Sequence, residues 1–267
     1  MIDVVVAGAA GRMGSRIVAL LRETEDLRLA AALERPGHPA LGRDAGEVAG
    51  VGHADVPITA EVEAALGQGR VLVEFTTPEA SLDHLRLVAA GGGRAVIGTT
   101  GFAKAQLAEI EILARRVPVL LSPNMSVGVN LAFRLLAQMA SVLGEEYDVE
   151  ITEIHHRGKK DAPSGTALRM AEVIAQALGR DLGKVAVYGR QGMPGERTRS
   201  EIGIQALRAG DVVGEHTVVF GGLGERLELT HRAHSRDTFA RGALRAVRFI
   251  ASAAPGLYSM QDVLGLK

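Results

Sequence analysis

A short apolar segment at the N-terminus runs straight into a glycine turn. Ile2 to Ala7 is apolar except for Asp3, and Gly8-Ala9-Ala10-Gly11-Arg12-Met13-Gly14 follows without a break. A near-continuous apolar run suits a strand buried on both faces better than one with a solvent side. Met13, Ile17, Leu20 and Leu21 then mark one face of a helix. Strand, glycine turn and helix in immediate succession read as the first βα unit of a parallel sheet. Such a turn lets backbone approach a pyrophosphate, and the helix N-terminus behind it supplies N–H donors and a favourable dipole. The spacing is GxxGxxG rather than the commoner GxGxxG, so the position of the turn between strand and helix matters more than the glycines alone.

Leu27 to Leu33 reads as a second strand and ends at Glu34-Arg35. An acidic residue roughly 20 residues beyond the turn accepts hydrogen bonds from the adenosine ribose hydroxyls, and a neighbouring arginine meets a 2′-phosphate instead. Holding both predicts tolerance of NADH and NADPH. Read without a ligand, the pair is an exposed loop; the residues alone leave both readings open. Residues 36–56 are rich in Gly, Pro and Ala with little periodicity and read as a mobile loop or short lid.

Beyond it, Val71 to Phe75, Ala95 to Ile97 and Val117 to Leu121 are strand candidates separated by helices running to about Ala90 and to Arg116. Alternation of this kind predicts a doubly wound sheet, whose ligand crevice lies beyond the carboxyl ends of the strands. Gly98, Thr99 and Thr100, and then Ser122, Pro123, Asn124 and Met125, fall at those ends and are expected on the nicotinamide side. Val127 to Leu143 reads as a long boundary helix, after which the pattern changes. Val149 to His156, Ile202 to Arg208, Val212 to Phe220 and Leu227 to His231 are strand candidates with few helices between them, and Tyr188 to Ser200 is expected to be a long loop reaching a neighbour or the active site. Thr238 to Ile250 is helical again. The expected architecture is α/β: a Rossmann-like doubly wound parallel sheet domain (1–126, completed by about 236–267) plus a smaller α+β domain with a mixed open sheet (127–235).

Chemistry concentrates in His155-His156-Arg157-Gly158-Lys159-Lys160-Asp161-Ala162-Pro163-Ser164-Gly165-Thr166. Val149 and Ile151 alternate with Glu150 and Thr152, predicting a strand that ends at the histidines. Ala167, Ala171, Ile174 and Leu178 recur at helical spacing, so Ser164 or a neighbour opens a helix. Titratable imidazoles, ammonium groups, an arginine and helix N-terminal N–H groups together suit a small substrate carrying carboxylates. Ordinary strand-end histidines and a solvated charged loop are the plainer reading, which the Pro-Ser-Gly-Thr turn behind them disfavours. His231 and His234 read as structural. No metal is expected, because adjacent strand histidines point to opposite faces and no carboxylate cluster completes a site.

The net charge of −1 gives no general electrostatic case for nucleic acid or an acidic membrane, and scarce aromatics without Trp argue against a base-stacking surface. Cysteine is absent, which excludes disulfides and thiolate chemistry and fits a reducing cytosol. No basic leader opens the chain, and no run approaches the ~20 apolar residues of a membrane span; a cytoplasmic location without membrane or nucleic-acid partners is expected.

Several segments in order, VAGAAGRMG (6–14), ALER (32–35), EFTTP (74–78), GTTGF (98–102), NMSVGVN (124–130), EIHHRGKKDAPSGTAL (153–168), GEHTVVF (214–220) and LTHRAHSRDTFARGA (229–243), resemble the dihydrodipicolinate reductases, also called 4-hydroxy-tetrahydrodipicolinate reductases, of the diaminopimelate route to lysine. The central block is highly specific and the glycine turn alone is not. The resemblance implies reduction of a cyclic unsaturated dicarboxylate by NADH or NADPH. It implies cofactor contacts from Gly8, Ala9, Ala10, Gly11, Arg12, Met13, Glu34, Arg35, Gly98, Thr99, Thr100, Ser122, Pro123, Asn124 and Met125. It also implies His155 as proton donor, Lys159 as a second catalytic group that contacts substrate, and His156, Gly165 and Thr166 as substrate binders. A homotetramer assembled through the second domain's sheet is implied as well. Met125 departs from the family, where Phe is expected in many members, and the resemblance assigns Lys160 no role. Rival readings are another NAD(P)-dependent amino-acid or oxo-acid dehydrogenase of two-domain build, or a nucleotide sensor without turnover; a sensor has no need of His155, Lys159, Gly165 and Thr166.

Overall fold

The structure is a computed structural model that describes residues 1–266. In chain order the elements are β1 (Ile2–Ala7), α1 (Gly14–Arg22), β2 (Leu27–Leu33), α2 (Ala45–Val48), β3 (Ile58–Thr59), α3 (Val62–Ala65), β4 (Val71–Glu74), α4 (Pro78–Gly91), β5 (Arg94–Ile97), α5 (Lys104–Ala114) and β6 (Pro118–Leu121). There follow α6 (Val127–Leu143), β7 (Asp148–His155), α7 (Gly165–Ala177), α8 (Leu182–Val185), β8 (Ala186–Tyr188), β9 (Ile202–Arg208), β10 (Gly214–Gly221) and β11 (Arg226–Ala233). The chain closes with α9 (Asp237–Ile250), β12 (Gly256–Tyr258) and α10 (Met260–Leu264). They form two compact units, one of Met1–Val127 with the segment from Arg236 onward, the other of Gly128–Ser235.

The first unit holds a seven-stranded sheet in the order β12-β6-β5-β4-β1-β2-β3, every pairing parallel. Strand order reverses between β1 and β4, the switch point at which doubly wound sheets open a crevice. The near-continuous apolar run of β1 has a simple cause. Val4 and Val6 pack into the core shared with α1 and α9, while Val5 and Ala7 pack into the core shared with α4 and α5, all at 0 or 1% exposure. Sequence-local signals place α4: Thr77 caps it by accepting from the Ala80 N–H at 3.3 Å, Pro78 opens it, and Gly92 at φ 67° ends it. Helix α9 is tied to the same unit by Arg16–Asp237 and Arg248–Asp26 ion pairs, both at 2.7 Å.

Residues 36–56, expected as a mobile loop or short lid, are held by a network of backbone hydrogen bonds. The Asp44 carboxylate accepts from the N–H groups of Gly46, Glu47, Ala54 and Val56 at 2.9 to 3.1 Å, capping α2 and tying the start of that helix to the chain at 54–56. Those four backbone bonds, the one from Ala54 foremost, hold the carboxyl down at about 2. Hydropathy periodicity carries no trace of such a hub.

The second unit holds a mixed five-stranded sheet, β11-β10-β7-β9-β8, in which β7, β9 and β8 run parallel and β10 and β11 are antiparallel to their neighbours. Alternation sends Val149 and Ile151, Ile202 and Ile204, Val218 and Phe220 to one face, where they meet Leu136 and Ala140 of α6 and Met170 and Ile174 of α7. Helix α6 with its short extension, Val127–Glu146, meets the length and apolarity of a membrane span, contrary to the expectation that no run approaches one. One such helix is weak grounds for a span, and its buried stripe of Ala132, Leu136 and Ala140 is spent on this unit's core. The 188–200 segment folds back on its own sheet: Arg190 pairs with Glu150 and Glu201, and Arg197 with Asp148 and Glu150.

Candidate active site

At the glycine turn, Gly8 adopts φ 66°, which only glycine enters without strain. A Cβ on Gly14 would collide with the Gly8 carbonyl oxygen, so the first turn of α1 lies against the end of β1 as closely as backbone permits. Glu34, half-buried at the end of β2, accepts from the Ala10 N–H at 3.1 Å and from the Arg35 N–H at 3.2 Å, which joins the acidic residue to the turn. Arg12 and Arg35 are exposed, Met13 is half-buried, and Ala9 is buried beside Gly11, whose N–H donates to Gly8 O at 2.9 Å. A cavity of about 330 Å³ opens here, lined by Gly8, Glu34, Arg35, Thr76 and His84.

The neighbouring strand ends are held by buried polar groups. The Glu74 carboxylate is fully buried and bonded to the Thr76 hydroxyl and, at 2.7 Å, to His84 Nδ1. Thr99 accepts from the Thr76 N–H at 3.0 Å and from the Ser81 hydroxyl at 2.7 Å, tying the loop after β5 to the loop after β4. Gly98 leaves room for the Phe75 ring, which a Cβ would strike. Thr100 is exposed. Ser122 donates its hydroxyl to Asn124 O at 2.9 Å, and the Asn124 side chain accepts from the Ser126 N–H at 2.9 Å, so the turn after β6 is braced internally. Pro123 is exposed, whereas the Met125 side chain is 1% exposed in the core, leaving only its main chain to meet a ligand.

In the second unit the sheet face that is apolar over most of β7 turns polar at its end. Register places Glu153 beside Ala206 and His216, His155 beside Arg208, and His216 beside His231. Glu153 is fully buried. Its carboxylate accepts from His155 Nδ1 at 2.5 Å, from the Ser164 N–H at 3.0 Å and from Arg208 Nη1 at 2.9 Å. Burial would raise the Glu153 carboxyl, but Arg208 and His155 outweigh it and hold it below the usual range. Burial lowers the His155 imidazole; Glu153 opposes that, Lys159 and Arg208 reinforce it, and the net direction is down. The His216 ring stands edge-on to His155 at 5.2 Å and shares a 3.0 Å hydrogen bond with the Ser164 hydroxyl. Burial first, then the His155 charge, depresses His216 to about 3, so it is neutral at any working pH.

Ser164 caps α7 by accepting from the Ala167 N–H at 3.1 Å. Gly165, exposed, and Thr166, half-buried, form the first turn, the helix end whose dipole favours an anion. The Lys159 ammonium rests on Asp161 at 2.8 Å, and its N–H closes a turn to His156 O. His156 lies one residue past the strand, half-buried. His155, Lys159 and the start of α7 thus belong to one end of one sheet. Glu153, Arg208 and His216 are the groups that sequence reasoning passed over, although their parity with Ile151, Ile204 and Val218 assigns them inward. No group of three or more His, Cys, Asp or Glu among the described residues is arranged to hold a metal.

Residues 2–125 match the family described as dihydrodipicolinate reductase, N-terminus, and residues 128–264 the family described as dihydrodipicolinate reductase, C-terminus. The 4-hydroxy-tetrahydrodipicolinate reductase of Citrifermentans bemidjiense is 55% identical over the whole of both chains, and that of Geobacter sulfurreducens 54%. A dipicolinate-bound dihydrodipicolinate reductase from Paenisporosarcina sp. TG-14 superposes with a TM-score of 0.77 at 27% identity, covering 98% of each chain. An amine dehydrogenase from Mycobacterium smegmatis, at 15% identity and a TM-score of 0.61, covering 97% of this chain and 95% of its own, shares the fold alone. The glycine turn of one unit and the polar strand end of the other thus fall within segments matched by the two parts of one family, and with full-length relatives above half identity this chain belongs to the dihydrodipicolinate reductases.

Proposed function

We propose that this chain reduces the dihydrodipicolinate ring to tetrahydrodipicolinate in the diaminopimelate route of lysine biosynthesis, with NADH or NADPH as reductant. The arrangement that carries the reading is the end of β7, where His155 is held by a buried carboxylate beside Lys159 and the N-terminus of α7. A dicarboxylate ring presents two anions and a carbon that must be protonated, and that set of groups meets both needs. The relative from Paenisporosarcina is described as bound to dipicolinate, a planar diacid of the same outline.

The family is NAD(P)H-dependent, and the first unit suits that group: the absence of a Cβ at Gly14 lets the start of α1 close onto the turn at Gly8, and the cavity beside Glu34 and Arg35 has room for an adenosine. Gly8, Ala9, Ala10, Gly11, Arg12 and Met13 would hold the pyrophosphate, and Glu34 and Arg35 the ribose or its 2′-phosphate. Gly98, Thr99 and Thr100, with Ser122, Pro123, Asn124 and Met125, would line the nicotinamide side. When bound, the reduced nicotinamide supplies a hydride from C4. His155 gives a proton to the carbon next to the one reduced. Lys159 pairs with one ring carboxylate, and His156 with the N–H groups of Gly165 and Thr166 orients the other, drawing electron density from the attacked carbon.

Residues 1–126 with 236–267 serve as the dinucleotide-binding domain, and 127–235 as the substrate and assembly domain. A homotetramer formed through the open sheet face is supported by its outward residues: Ile154, Thr152, Val219 and the exposed Leu207 lie opposite the face that α6 and α7 cover. A cytoplasmic setting fits this chemistry. Loss of nicotinamide absorbance on adding freshly made cyclic substrate tests the reaction. Oxidation with that substrate and not with amino or oxo acids is expected; bound cofactor without substrate-dependent oxidation would point to a sensor instead.

A further inference from the structure

We propose that Glu153 is the positioning residue of His155: it holds the imidazole by Nδ1–H so that Nε2 is the nitrogen that delivers the proton. The inference rests on the reaction proposed above and adds the part of the site that sets its direction.

An ionised carboxylate has acceptors only, so the 2.5 Å contact between Glu153 Oε2 and His155 Nδ1 requires the hydrogen on Nδ1. The carboxylate cannot swing to another arrangement. Its Oε1 accepts from the Ser164 N–H at 3.0 Å, Arg208 Nη1 reaches both oxygens at 3.1 and 2.9 Å, and Arg208 Nη2 reaches Oε1 at 3.1 Å. With the bond from His155 these make five contacts on a carboxylate that offers roughly four lone-pair sites, so no acceptor position is left over. Arg208 is in turn fixed by donating to Leu207 O and Asp161 O, both at 2.6 Å. On the other side of the ring, a Cβ at residue 214 would stand 3.0 Å from Nε2; Gly214 leaves that nitrogen uncrowded.

The groups facing the imidazole are Glu153 on its own strand, Arg208 on β9, His216 on β10 and Lys159 in the following loop. Glu153 is the one anion among them. In the proton transfer, the Nε2–H bond breaks as a C–H bond forms at the ring carbon. The imidazolium becomes a neutral imidazole still donating Nδ1–H, the carboxylate keeps its charge throughout, and solvent returns a proton to Nε2.

Nitrogen-15 NMR of histidine-labelled protein, with His155 assigned by the His155→Gln spectrum, reads the tautomer directly. The neutral ring is expected to carry its hydrogen on Nδ1; a neutral ring protonated on Nε2 overturns the proposal. In kinetics, Glu153→Gln removes the one negative charge among the described groups that face the ring. Its kcat is expected to fall by up to about 100-fold, the cost of a misplacement of ~1 Å, with little change in KM because Glu153 touches no substrate. The alkaline limb of its kcat/KM profile moves to lower pH, since the acid now loses its proton sooner. A folded variant with an unmoved limb and undiminished kcat overturns the proposal too. If the variant does not fold, the tautomer in the unaltered protein decides. Failure of that protein to oxidise NADH with substrate would count against the reaction and leave the tautomer result standing.

Discussion

Lys159→Ala removes the ammonium that is expected to meet a ring carboxylate. In the structure that ammonium rests on Asp161, with Nζ to the carboxylate oxygens at 2.9 and 2.8 Å. The Lys159 side chain is 19% exposed and Asp161 67%, so water competes freely for one partner. A pair of that kind is worth about 0 to 1 kcal/mol, which is all that substrate must overcome to take the lysine. Loss of the lysine is far more costly, because a partly desolvated substrate carboxylate is left without its counter-charge: ~2 to 5 kcal/mol of transition-state stabilisation. At 1.36 kcal/mol per decade this is a fall in kcat/KM of about 30- to 5,000-fold. Asp161→Asn should act in the opposite sense, lowering KM by up to about fivefold by removing the competitor. Steady-state NADH oxidation at fixed ionic strength measures both. A Lys159→Ala enzyme within about twofold of the parent would show that this lysine is surface charge and that the anion site lies elsewhere.

Glu34→Ala should weaken NADH more than NADPH, since only NADH offers the carboxylate a free 2′-hydroxyl; equal weakening by titration calorimetry would remove Glu34 from the ribose site. Asp44→Asn should lower the melting temperature near neutrality by unpicking the 44–56 stretch. Asp44 is depressed from 3.8 to about 2 in the folded chain, so its contribution is complete above the ordinary value and disappears as pH falls through about 2. The gap in melting temperature between parent and variant should therefore narrow across that acid window; a gap constant down to pH 2 would contradict the hub.

The parts most legible in the sequence were those whose cause is local. The apolar run of β1 announces a strand buried on both faces, and Gly8 and Gly14 announce a turn that must approach helix and ligand closely. The charged block from His155 to Thr166 is visible because its chemistry is contiguous. What escaped has partners distant in the chain. Glu153 reads as one more polar residue of an alternating strand until register sets it beside His216 and against Arg208. Asp44 gathers backbone N–H groups from up to twelve residues further along a segment whose composition reads as a mobile loop or short lid, and no side-chain pattern records backbone donors. Strands β8 and β12 are three residues each, too short for period-two alternation to stand out.

The most direct measurement is isotope tracing in two single turnovers, one with cofactor deuterated at nicotinamide C4 on the transferred face in ordinary water, the other with unlabelled cofactor in deuterium oxide, which marks the solvent-derived hydrogen. Deuterium is expected at one ring carbon of tetrahydrodipicolinate, a solvent-derived hydrogen at its neighbour, and a slower second event when His155 is replaced by Gln. Product without cofactor deuterium, or protonation at an undiminished rate without the imidazole, would contradict the assignment of reductant to one unit and proton donor to the other.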